Sequence, residues 1–204
     1  MSDPYATKPW LKHYDDHVSA SLNYPSKTYM EVVCETTSLI PARAAVHYMG
    51  RSITFHELDI FSNQLAHFLI NSGLQPGDTV GVNLPNIPAY YISILAIQKA
   101  GCVLTGVSPL LQPQELEYQL NDSGAKLLVT LDALFDKVAA VAGRTGVKVL
   151  MVASIADFLS PLKRGLGKLL KKIPRGKIKP VSGVNIVRFS DISHQMSSDR
   201  KSVV

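Results

Sequence analysis

Cysteine is scarce in this chain. Cys34 and Cys102 are the only two among 204 residues and lie far apart. That excludes a disulfide-stapled secreted scaffold and fits a reducing cytoplasm. Both are expected to be buried apolar thiols. Long apolar runs are missing as well: none approaches the roughly 20 residues that a helix needs to cross a bilayer. Met1-Ser2-Asp3-Pro4-Tyr5 lacks the basic-then-apolar order of a signal peptide. Neither G-x-x-x-x-G-K-[ST] nor G-x-G-x-x-G occurs, so two common phosphate-cradling loops are absent. Acidic residues are missing from one stretch only. Between Phe158 and Ser190 stand nine basic residues and no acidic one. The chain's net charge is +5, so the remainder, with 12 basic and 16 acidic residues, is mildly acidic.

What is present can build a core. Hydrophobic residues make up 46% and charged residues 18%, the balance of a folded domain and not of a disordered tail. The length suits one large domain or two small ones. Residues 1–28 are aromatic-rich and irregular and read as an arm laid over the body. Tyr29–Thr37 reads as a short helix. Ala44–Tyr48 and Arg51–Thr54 flank Met49-Gly50 as a hairpin. Thr54 and Glu57 have the spacing of a capping box. Leu58, Phe61, Leu65, Phe68 and Leu69 follow on one helical face, and Gly73 ends that helix.

From Thr79 the pattern alternates strand and helix. Strands are expected at Thr79–Leu84, Cys102–Val107, Lys126–Thr130 and Val147–Val152. Helices are expected after Pro88, after Pro113 and over Asp132–Ala142. Four short apolar strands joined by such helices predict an α/β fold with a mainly parallel sheet and crossover helices.

Candidate sites are few. His13 and His17 are four apart, a metal-ligand spacing on a helix, but nothing else in the segment reads as helical, and a solvated turn is the expected reading. Gly143-Arg144-Thr145-Gly146 reads as a helix-to-strand turn. Glu115 and Glu117 point to different faces of a helix and answer its dipole. Leu159, Leu162, Leu166, Leu169, Leu170 and Ile173 form one apolar stripe over residues 159–173. Lys163, Arg164, Lys168, Lys171, Lys172 and Arg175 accompany it as candidates for contact with an anionic membrane surface. A plain surface helix is the competing reading. Nucleic acid is disfavoured, because no aromatic residue lies between Phe158 and Phe189 to stack on bases.

An ordered set of landmarks runs through the chain: Pro41-Ala42-Arg43, Ser52-Ile53-Thr54-Phe55-His56-Glu57-Leu58, Gly73-Leu74-Gln75-Pro76-Gly77-Asp78, Leu84-Pro85-Asn86, Ala100-Gly101-Cys102, Ser108-Pro109-Leu110, and Gln114 through Ala125. Together they resemble the N-terminal segment of an acyl-adenylate-forming, AMP-binding enzyme. The resemblance is greatest to long-chain fatty acid–CoA ligases and covers residues 29–192.

It implies an incomplete N-terminal part of the adenylate-forming fold. It also implies a parent reaction in which a fatty acid carboxylate attacks the α-phosphate of Mg-ATP, releasing diphosphate, and coenzyme A thiol then displaces AMP. Charge on the transferred phosphate must be met by Mg²⁺, lysine and backbone N–H groups. In the family these groups follow the position of Ser190-Asp191. No catalytic, cofactor-binding or metal residue is therefore assigned, and the chain by itself is expected to be inactive.

Residues 193–204 do not resemble the family. Asp199-Arg200-Lys201-Ser202-Val203-Val204 reads as one frame of a common sequencing adaptor, GATCGGAAGAGCGTCGTGTAG, and is expected to be adaptor-derived. Two other functions stay open: another acid-activating enzyme for aryl, short-chain or amino acids, and a non-catalytic lipid-surface or partner-binding module. A homodimer and a position at the inner face of the membrane are further expectations.

Overall fold

The computed structural model describes residues 3–159 and 176–195. The arm carries a short helix, α1 (Pro4–Thr7), and a 3-10 turn at Pro9–His13. No described residue from 3 to 28 is buried, so the arm does not bury its aromatic side chains on the body. Tyr5 and Trp10 meet edge to face, and Tyr24 stands in solvent.

The body opens with α2 (Tyr29–Leu39), capped reciprocally by Thr28 and Glu31. The hairpin β1 (Ala44–Tyr48) and β2 (Arg51–Thr54) pairs antiparallel. Met49 (φ 48°) and Gly50 (φ 80°) both take left-handed backbone, which a two-residue hairpin turn requires. Helix α3 (Phe55–Asn71) starts as its sequence says. Thr54 Oγ1 accepts from the Glu57 N–H at 3.1 Å, and Glu57 Oε2 accepts from the Thr54 N–H at 2.8 Å. Leu58, Leu65 and Leu69 are buried on its inner face.

The second sheet holds five strands: β3 (Thr79–Asn83), β4 (Val103–Gly106), β5 (Leu127–Leu131), β6 (Val149–Ala153) and β7 (Asn185–Arg188). Their spatial order is β4-β3-β5-β6-β7, and every neighbouring pair is parallel. Helices α4 (Pro88–Lys99), α5 (Pro113–Asp122) and α6 (Phe135–Ala142) make the crossovers, and α7 (Phe189–Gln195) follows β7.

Alternate residues of the strands divide the core in two. Leu127, Val129 and Met151 face α3 and α4, while Leu128, Leu150 and Val152 face α5 and α6. The result is an open sheet wound on both sides. Gly81 belongs on the interior strand β3 because a Cβ there would stand 2.7 Å from Leu128 Cδ1.

The fifth parallel strand was not among the four expected. It is short and half-exposed, with only Ile186 and Val187 apolar. Asp132–Ala142 is also not one helix: Asp132–Leu134 forms a 3-10 turn before α6 begins. Leu159 is extended and buried at the end of the Ile155–Phe158 turn, so it does not begin a helix. Cys102 is buried, but Cys34 is only half-buried on α2. Burial, followed by the nearby Asp78 charge, pushes the Cys102 thiol above its ordinary pKa.

Candidate functional site

Open α/β sheets bind ligands outside the carboxyl ends of their strands, where the strand order reverses. Here that point lies between β3 and β5, and it is sealed. Asn83 Nδ2 donates to Val107 O at 3.1 Å and Ser108 O at 3.0 Å, and Asn83 Oδ1 accepts from Thr130 Oγ1 at 3.1 Å. Asn83 and Thr130 are both buried. The amide that could greet a ligand instead ties the end of β3 to β5 and to the loop after β4.

Further along the same edge, two chambers adjoin over β6 and β7. One, of about 390 Å³, has an apolar floor that includes Phe61, Leu65, Ile92 and Phe189, with Arg51 among its polar lining. The other, of about 310 Å³, is polar and includes Asp132, Ser154 and Arg188. Asp157 and Ser190 line both and form the shared wall. Local structure fixes that wall. Asp157 Oδ2 accepts from the Ser154 N–H at 2.8 Å, closing the Ile155–Phe158 turn. Phe158 and Phe189 pack edge to face at 6.0 Å.

The chambers can bind, but they hold little that can react. Among the described residues neither is lined by His, Cys, Lys or Tyr. Asp132 is the most buried carboxylate at the cleft. Its Oδ1 has no hydrogen-bond partner and almost no solvent contact, although the residue lines the polar chamber. Among the described residues no group of three His, Cys, Asp or Glu side chains is placed to hold a metal ion.

The clearly shifted carboxyls serve structural roles away from the cleft. The Gln75 N–H and then Lys126 hold Asp78 below the usual carboxylate range. Arg144, at 2.7 Å, does the same for Glu117.

Lys163, Arg164, Lys168, Lys171, Lys172 and Arg175 all lie outside the described residues. Of the other basic residues in that stretch, Lys179 reaches Asp136 at 3.8 Å across an exposed surface. His13 and His17 are exposed. Glu115 is the reciprocal half of a cap on α5, accepting from the Gln112 N–H at 2.8 Å. Gly143–Gly146 turns α6 into β6. Of the cleft residues, spacing placed Phe61 on the apolar face of α3 but did not single out Arg51, Asp157 or Phe189. Among the described residues no helix is long and apolar enough to cross a membrane.

The fold and the cleft define an open, doubly wound α/β unit with its cavities at the carboxyl edge. Known proteins narrow that class. A family model described as AMP-binding enzyme matches residues 35–177. A long-chain-fatty-acid–CoA ligase of Bacillus subtilis (strain 168) is 34% identical over 165 residues, covering 81% of this chain and 30% of the relative. The solved anthranilate CoA ligase AuaEII, in complex with anthranoyl-AMP, matches with a TM-score of 0.67 at 19% identity, covering 86% of this chain and 30% of that one. A long-chain-fatty-acid-CoA ligase from Archaeoglobus fulgidus matches at 0.65 and 21% identity, covering 88% and 32%. The chain thus spans about a third of the length of the relatives it matches. It belongs to the AMP-binding enzyme family, and its structure corresponds to an N-terminal part of the fold of the two solved ligases.

Proposed function

We propose that this chain is the N-terminal scaffold of an ATP-dependent long-chain fatty acyl-CoA ligase. The parent would convert fatty acid, ATP and CoA to acyl-CoA, AMP and diphosphate through an acyl adenylate. The supporting observation is the 34% identity to a long-chain-fatty-acid–CoA ligase over 81% of this chain. In this reading the scaffold supplies a rigid parallel sheet, and the cleft over β6 and β7 is a binding surface. No chemical step is assigned to a described residue. The chain alone is inactive. The basic stretch of residues 159–179 holds the parent against an anionic membrane surface on the cytoplasmic side, a reading supported by its run of positive charge. The parent works as a homodimer.

A second reading, an aryl-acid ligase, is favoured by the likeness to an anthranilate CoA ligase. The fold does not separate the two, since one architecture carries many specificities.

A chimera tests the proposal. Residues 29–192 replace the matching segment of the Bacillus subtilis ligase, and ATP–pyrophosphate exchange is measured with palmitate and with anthranilate. A soluble, folded chimera should retain palmitate-dependent exchange. A folded chimera active only with anthranilate, or with neither acid, would contradict the proposal.

A further inference from the structure

Strand β4 is an edge of the parallel sheet. An edge offers unpaired N–H and C=O groups to any strand that approaches. Val103-Leu104-Thr105-Gly106 carries no charge and no proline, which are the usual deterrents to such pairing. Val103 N–H donates inward to Asp78 O and Val107 N–H to Val82 O, each at about 3 Å. Strand alternation then directs the backbone groups of Leu104 and Gly106 outward. Gln119, one turn before the end of α5, reaches over and donates from Nε2 to Gly106 O at 2.9 Å.

The next carbonyls are taken too. Asn83 holds those of Val107 and Ser108, and Lys137 Nζ holds those of Pro109 at 3.2 Å and Leu111 at 2.8 Å. Past the strand, the side chains of Leu110 and Tyr118 are exposed.

We propose that Gln119 is a plug that keeps the β4 edge closed to strand addition by a second copy of this chain. The arithmetic of antiparallel pairing supports this. Each hydrogen-bonded residue pair exchanges two N–H···O bonds. Two copies related by a two-fold axis through Thr105 would pair Leu104 of one with Gly106 of the other, twice, and form four bonds. With Gly106 O occupied in both copies only two remain, and the glutamine side chain occupies the space of the incoming strand. Such a contact is self-complementary and closes as a dimer.

Sedimentation velocity on the wild type, Gln119→Ala and Gln119→Lys tests this, together with amide hydrogen exchange at Leu104 and Gly106. Alanine is a good helix former, so α5 persists. Gln119→Ala should dimerise at least about tenfold more tightly than the wild type, the effect of two recovered hydrogen bonds. Its Leu104 and Gly106 amides should gain protection as concentration rises. Gln119→Lys, which can donate to Gly106 O and adds charge to the edge, should associate no more than the wild type. An alanine variant no more associated than the wild type would overturn the proposal. So would association without protection at those two amides, or a lysine variant that associates as the alanine variant does.

Discussion

Truncating Lys99 to alanine is expected to destabilise the protein by about 3–5 kcal/mol, the typical loss when one partner of a buried ion pair is removed. Lys99 lies at the last turn of α4 and is only 4% exposed. Its ammonium donates to Asp59 Oδ1 at 2.8 Å, Ser62 Oγ at 2.7 Å, Asn63 Oδ1 at 2.6 Å and the Asp59 carbonyl at 3.2 Å. One cation thus joins α4 to two successive turns of α3. Removing it takes the cation away from a mostly buried carboxylate, whose side chain is 14% exposed, and leaves a cavity where the butyl stem packed. Lys99→Met restores the stem without the charge, so it should recover part of the loss and no more. Urea unfolding of the two variants checks this. A loss below about 1 kcal/mol for Lys99→Ala would place the pair with surface salt bridges of little worth.

Replacing Asn83 with alanine should cost about 3 kcal/mol, since it leaves buried donors and acceptors unpaired at roughly 1–3 kcal/mol each. The Thr130 hydroxyl and the Val107 carbonyl lie inside the sheet edge and have no access to replacement water, whereas Ser108 is exposed and can be rehydrated. The change also has a local signature. The loop after β4 is fastened at its first half by Asn83 and at its second by Lys137. Asn83→Ala should therefore raise hydrogen exchange in residues 107–111 before it affects β6. Asn83→Asp should be worse than alanine, because it sets a carboxylate against two carbonyl oxygens. Equal exchange in wild type and Asn83→Ala would show that the loop does not depend on this amide.

Local chemistry carried much of the fold into the sequence. The Thr54–Glu57 cap, the Met49-Gly50 turn and the prolines at the starts of α4 and α5 all act within four residues, so reading along the chain finds them. Strand β7 was missed because an edge strand with two apolar residues has no run and no clear alternation. The Lys99 cluster was missed for a different reason. Its partners are 36 to 40 residues away in sequence, and a lysine in the last turn of a helix reads as a solvated answer to the dipole. The cleft shares that difficulty. Arg51, Phe61, Asp157 and Phe189 come from four separate elements, and only the crossover topology brings them together.

The arm shows a limit of composition. Trp10, Tyr14 and Tyr24 suggested packing on the body, yet they stand exposed. An aromatic residue supplies apolar area wherever it lies and does not say which surface receives it.

We propose that this chain is a scaffold that does not handle the nucleotide by itself. Isotope exchange between ATP and pyrophosphate, run on the purified 204-residue chain with Mg²⁺ and palmitate, tests it most directly. The account predicts no label in ATP above a no-protein control. Palmitate-dependent labelling by this chain alone would contradict it.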